Sequence, residues 1–407
     1  MKRRKFIQNT TLGSTGLLFS GVPLFTTSCK SSKDELSLHT IDKVELAEVH
    51  YEWPRLVGKN GVSDVHGQKQ RRPILKIYTD QGAMGWGITN WDVKKELDIL
   101  NGKKLSELIS PESGIADGLN VHYFDVPLFD LMGMVLNKPI HEILGGKGGK
   151  EHKVYSGMIY MDELPAEKFG HQGGLDVLME NCAWDYDYGY RQFKLKIGRG
   201  HKWYPSKKEG MDMDIKVTKM IYEEYKDKGV DILVDANNAY DYDDTIAFLE
   251  GIGDIPLYWF EEPFPEENKM DVKRLRNWMD DNGFENTRYA DGEWIWVDPN
   301  KPDVVLEQIE SGMINTYLND IHAIGFTNWM KIMPRLAKVG ATASPHTWGQ
   351  GVKTNYTAHM ATGLGSIETI EGVTCLSEDI DFGNYPIKEG FIQVSDAPGF
   401  GMKLLKS

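Results

Sequence analysis

The sequence predicts an α/β fold: a closed parallel (β/α)8-type barrel preceded by a smaller α+β domain. Three observations carry this expectation. Beyond the glycine cluster Gly145-Gly146-Lys147-Gly148-Gly149, short apolar runs alternate with helical stretches eight times. Seven of those runs end in acidic, basic or imidazole side chains, and barrel enzymes place their chemistry at strand ends. Before the cluster the order differs, with strand patterns first and a helical pattern after them.

The first segment reads as an address. Lys2-Arg3-Arg4-Lys5 precedes the weakly apolar run Gly16–Phe25, which is too short to span a bilayer. Arg3-Arg4 resembles a twin-arginine export signal, and Thr27-Ser28-Cys29 resembles a lipoprotein cleavage site with Cys29 as the acylated residue. An ordinary secretory signal is the alternative. Residues 1–35 are therefore expected to be leader and linker, and the protein exported, to the periplasm or to a membrane it touches only through a lipid. Residues 36–150 form the first domain: strand patterns over 40–50 and 72–88, a Gly/Asp/His-rich loop over 55–71, and a helical pattern at Pro127–Leu136. Residues 151–375 hold the eight candidate strands: Lys153–Tyr160, Gln192–Ile197, Asp231–Ala236, Leu257–Glu261, Thr287–Ala290, Ile314–Leu318, Ala341–Ser344 and Ser366–Ile370. A doubly wound sheet is the architectural alternative.

With 60 acidic against 46 basic residues the net charge is −14, a field that repels nucleic acid. An anionic substrate stays open, because a divalent cation reverses the local sign. Apart from Cys29, Cys182 and Cys375 remain, and sequence does not decide between free thiols and a bond.

The strand ends carry Lys194-Leu195-Lys196, Asp235, Glu261-Glu262-Pro263, Asp291-Gly292-Glu293, Asp320, His346 and Glu368. Singly, each reads as a turn former, a helix cap or a solvated charge. As a series, one per successive strand, they fit one chemistry. Three carboxylates supply the hard oxygen ligands that Mg²⁺ prefers while leaving positions for substrate. A carboxylate bound there acidifies its α-proton, and the ene-diolate charge is stabilised where it develops. A lysine beside a cation is a base near neutral pH, His346 with Asp320 is a second base or acid, and a protonated Glu368 is a hydrogen-bond donor.

At these residues the chain resembles the enolase superfamily, in particular its mandelate racemase subgroup, over residues 40–405. The resemblance implies a modified (β/α)7β barrel, an α+β capping domain, and residues 376–407 packing back on that cap. It implies Lys196 as base with Lys194 beside it, Asp235, Glu261 and Glu293 as ligands of one Mg²⁺ per subunit, an Asp320–His346 dyad, and Glu368 as electrophilic acid. Asp291 competes with Glu293, and Glu371 lies close to Glu368. A step of 32 residues from Glu261 to Glu293 suggests an insertion near 280–287. Dehydration of an acid sugar to a 2-keto-3-deoxy acid is the leading expectation. A racemase or epimerase is the runner-up, and an inactive carbohydrate-binding lipoprotein the third reading. The substrate is a small carboxylate, and a homo-oligomer is expected. Trp53, Arg55 and His66 are the candidate specificity residues of the lid, with Arg55 on a second carboxylate, on substrate hydroxyls, or merely exposed.

Overall fold

The computed structural model describes residues 31–169, 172–293 and 303–406. The export motif and Cys29 lie outside the described residues. Among the described residues, regular structure begins earlier than the expected boundary at residue 36. Ser31 caps a helix Ser32–Leu36 through a capping box with Asp34, and Leu36 is buried in the core. The helix thus runs from the expected linker into the first domain and anchors there through Leu36.

Three antiparallel strands follow: β1 (Ile41–Val57), β2 (Gly67–Thr79) and β3 (Met84–Ile88), in that spatial order. The helix Val121–Leu136 lies on β3. Gly85 and Gly87 permit this contact, because a Cβ at Gly85 would stand 2.3 Å from Leu131 N and one at Gly87 2.9 Å from Pro127 N. Pro127 sits inside this helix without an N–H to offer Tyr123 O, and the Thr89 hydroxyl donates to that carbonyl instead, at 3.0 Å. Two buried carboxylates on the helix tie the first domain to the rest. Asp125 accepts from Phe326 N (2.6 Å) and Thr327 N (3.2 Å), and Asp130 from Trp86 N and Phe400 N, both 2.9 Å. Burial pushes their carboxyl groups up, to about 6 and about 7. A small hairpin, β4 (Ile109–Ser110) and β5 (Gly114–Ile115), precedes the helix.

The barrel strands are β6 (Glu151–Ile159), β7 (Gln192–Lys196), β8 (Asp231–Asp235), β9 (Leu257–Glu261), β10 (Arg288–Asp291), β11 (Thr316–Tyr317), β12 (Thr342–Ala343) and β13 (Ile370–Gly372). They pair in parallel in chain order, β13 pairs with β6, and the bridge Ala343↔Ile367 closes the ring. Among the described residues no barrel helix follows β13, so the pattern is (β/α)7β. Tyr155, Leu233, Trp259, Ala290 and Leu318 fill the interior as one layer. From β13 the chain returns to the first domain, where Ile140 N donates to Gly399 O at 3.0 Å.

The eighth strand departs from the sequence expectation. Ser366–Ile370 makes only the closing bridge, and the paired strand lies at Ile370–Gly372. Ser366, at φ 55°, turns the chain and displaces the register. No helix among the described residues is long and apolar enough to cross a membrane. Cys182 and Cys375 are free.

Candidate active site

Alternation along each barrel strand selects what faces the interior. On β7 it brings both Lys194 and Lys196 inside, with Leu195 outside in the core between sheet and helices. On β8 and β9 it adds Asp235 and Glu261 one step above Leu233 and Trp259. On β10 Ala290 points inward, so Asp291 points outward. The chain then turns at Gly292, φ 109°, and delivers Glu293 to the interior. Ligand atoms of Asp235, Glu261 and Glu293 lie within 4.8 Å of one another, a set that excludes Asp291.

Lys194 Nζ stands among these acids, 2.7 Å from Glu261, 3.4 Å from Asp235 and 3.6 Å from Glu293. Lys196 pairs with Asp235. Burial disfavours both ammonium groups, but the surrounding carboxylates outweigh it and hold both lysines above their ordinary range. Burial also works against the Asp235 carboxylate, yet Lys196 and Lys194 pull it down to about 2. Glu261 goes the other way, raised by burial and by the Asp235 charge. Its Oε2 is buried with no hydrogen-bond partner among the described residues.

Asp320 and His346 form the expected dyad, Nδ1 to carboxylate at 3.0 Å. Asp320 also caps the next helix through His322 N (2.8 Å) and Ala323 N (3.0 Å), and takes a fourth partner, Lys353 Nζ, at 2.6 Å. The other imidazole nitrogen, Nε2, points at Glu293, 3.5 Å away. Burial would lower the His346 pKa, but Glu293, Glu371 and Asp320 together raise it.

Glu368 is not in this site. It pairs with Arg288, the first residue of β10, at 2.7 Å and accepts from the Tyr258 hydroxyl, both at the opposite end of the barrel. Glu371 takes the place expected for it: buried, 3.5 Å from Lys194, with Oε2 accepting from Thr347 N at 2.6 Å. Gly157 on β6 clears the space, since a Cβ there would meet Glu371 Oε1 at 2.7 Å. Burial raises Glu371, but Lys194 and His346 outweigh it and lower its pKa, so it is an ionised acceptor rather than a proton donor.

The lid residues divide. His66 and Trp53 face the cavity, and Trp53 stacks on Trp348 at 5.0 Å. Arg55 does not. Its guanidinium is locked by two 2.8 Å bonds to Asp185 and a 3.1 Å bond to Met158 O. That is a buried brace between β1 and the barrel, which an arginine in a polar loop did not announce. Trp184 and Tyr188 stack on each other on a barrel helix, away from the cavity. Sequence reasoning also missed Tyr160, Asn60 and Trp348, and gave Glu262 no role of its own; with Lys196, Glu293 and His346 these line a cavity of about 240 Å³. Glu371 was findable by carrying the strand period from Ile370. Lys353 carried no signal, because nothing in sequence links a lysine on the following helix to Asp320.

A family model described as "Enolase C-terminal domain-like" matches residues 178–407. The arabinonate dehydratase of Saccharolobus solfataricus is 26% identical over 282 residues, covering 68% of this chain and 67% of its own. The N-succinyl-L-Arg/Lys racemase of Bacillus cereus is 21% identical over 273 residues, covering 60% and 68%. In structure, the galacturonate dehydratase of a Geobacillus species, solved with D-galacturonate and 5-keto-4-deoxy-D-galacturonate, superposes with a TM-score of 0.81 at 27% identity, covering 91% and 95%. A mutant of that enzyme was solved with Mg. With this barrel, these strand-end residues and relatives that are dehydratases and racemases, the chain belongs to the enolase superfamily, as an enzyme of the lyase or isomerase class.

Proposed function

We propose that the protein dehydrates an acid sugar, removing the proton next to a carboxylate and the β-hydroxyl to leave a 2-keto-3-deoxy acid, with Mg²⁺ held by Asp235, Glu261 and Glu293. The observation that carries this is the charge balance of the cluster. Four buried carboxylates (Asp235, Glu261, Glu293, Glu371) crowd around Lys194, with Lys196 on Asp235 and a fifth buried acid, Glu262, against Glu293 N, so that acids outnumber ammonium groups in a way that suits a divalent cation. The donors are all carboxylate oxygens, the chemistry Mg²⁺ prefers, and the unpartnered Oε2 of Glu261 is free to ligate. Bound there, the ion supplies the positive charge that acidifies the α-proton of a substrate carboxylate.

The chain's own residues do the rest. Lys196, beside Asp235 on the cavity wall, takes the α-proton; an adjacent cation disfavours its ammonium form and so opposes the raising effect of Asp235. Lys194, ammonium in this setting, donates to the oxygen on which charge grows. His346 Nε2 protonates the departing hydroxyl, with Asp320 fixing the tautomer by accepting from Nδ1. Tyr160, His66 and Trp348 wall the cavity and restrict water.

The test is a screen of the purified protein with Mg²⁺ against an acid-sugar library, read by semicarbazide trapping of a keto acid. The racemase relative keeps one alternative open, which the same screen separates: optical rotation lost without any keto acid is the racemase outcome. We also propose that the mature protein begins at an acylated Cys29. Mass spectrometry of the protein from its native host decides this, and a mature N-terminus elsewhere rejects it.

A further inference from the structure

Beyond the carboxylates the cavity continues into a second chamber of about 400 Å³, sharing His66, His346 and Trp348 with the first. One wall is β2. Its period of two turns Gln68, Gln70 and Arg72 inward and leaves Lys69 and Arg71 exposed. Two cationic side chains reach this chamber. Lys353 is committed to Asp320, whose carboxylate is in turn shared with His346. Arg72 makes no ion pair among the described residues, and its Nε is buried with no hydrogen-bond partner. Its neighbours are neutral: the Tyr51 hydroxyl lies beside it, and a Cβ at Gly349 would stand 3.5 Å from one terminal nitrogen. A partly buried guanidinium without a counter-charge is a cost that a folded chain normally offsets with a carboxylate. Arg55, the arginine to which the sequence pointed, has one in Asp185. Arg72 has none among the described residues.

We propose that Arg72 anchors a second anionic group at the end of the substrate remote from the metal ligands, so that the substrate is an acid sugar charged at both ends. This rests on the acid-sugar reading above and narrows it. The planar fork of Arg72 fits a carboxylate or a phosphate bidentately. The Trp53–Trp348 stack beside it lowers the local dielectric, and Gln350 Oε1, buried without a donor among the described residues, is available to an intervening hydroxyl.

The test compares matched pairs. Galactarate and galactonate differ only in a terminal carboxylate against a hydroxymethyl group; 6-phosphogluconate and gluconate do the same for phosphate. Binding to the full-length protein with Mg²⁺ is followed by tryptophan fluorescence, which needs no turnover. In at least one pair the doubly charged member binds about tenfold tighter or better. Arg72→Gln then weakens that member about 10- to 100-fold and leaves its singly charged mate unchanged, which also shows that the variant is folded. The pair that responds identifies carboxylate or phosphate. Equal binding within both pairs, or equal weakening of both members by Arg72→Gln, overturns the anchor while the acid-sugar reading stands. Failure of all four to bind removes that reading and this one with it.

Discussion

The two mouths of the barrel hold charge differently. At the end where the strands begin, Glu368 meets one guanidinium, Arg288, and one phenol, Tyr258, and the account is balanced within the protein. At the end where the strands finish, Lys194 is shared by four carboxylates, and Glu261 keeps a buried oxygen with no partner among the described residues. The lesson concerns sequence as much as structure. Glu368 and Glu371 are three residues apart on one strand segment, yet one is a structural counter-ion and the other a member of the site. A surplus of like charge that the fold tolerates in its interior marks the working end, because only a ligand can offset it.

The largest break of that comparison is at the bases. Lys196→Ala and His346→Asn should each lower turnover about 10²- to 10⁴-fold. Solvent deuterium should still enter the α-position in one variant for one substrate configuration and in the other for its epimer. If both variants keep full activity, the two-base assignment fails. Next comes the surplus itself. Glu293→Gln should abolish Mg²⁺ binding by calorimetry, and chelation should silence the wild type, whereas Asp291→Asn, on the outward face of β10, should leave metal affinity unchanged. The opposite result would make Asp291 the third ligand. Third, Glu371→Gln should cost turnover about 10- to 100-fold with little change in melting, while Glu368→Gln should cost about 1 kcal/mol of stability and leave kcat alone. Equal kinetic effects would erase the distinction between the two mouths. The smallest kinetic effect is expected at Arg55→Ala. It should remove about 3 kcal/mol of stability in urea unfolding, by stranding the buried Asp185, without altering the preference between doubly and singly charged acids.

Much of the site was legible because barrel geometry converts sequence position into space. Strand ends converge, so Lys194, Lys196, Asp235, Glu261, Asp320 and His346 could be placed together from one residue per βα unit. Glu293 was legible only as one of two acids; Gly292 and its left-handed turn choose it over Asp291. Glu371 was legible only as a competitor close to Glu368, because the turn at Ser366 moves the paired strand to Ile370–Gly372. Of the expected lid residues, Trp53 and His66 lie on the cavity; an arginine also faces the second chamber, but it is Arg72 on β2, not Arg55 on β1.

The sequence by itself determined the barrel, its cap and the kinds of group at each strand end, since these follow from local alternation and from the order of elements along the chain. Tertiary structure alone decided which charges were answered. Arg55 found Asp185 130 positions away, Glu368 found Arg288 across the sheet, and Lys353 found Asp320. Arg72 and Glu261 found no complete set of partners among the described residues. Pairing of buried charges is a property of distance in three dimensions, and linear spacing constrains that distance only along a strand or a helix.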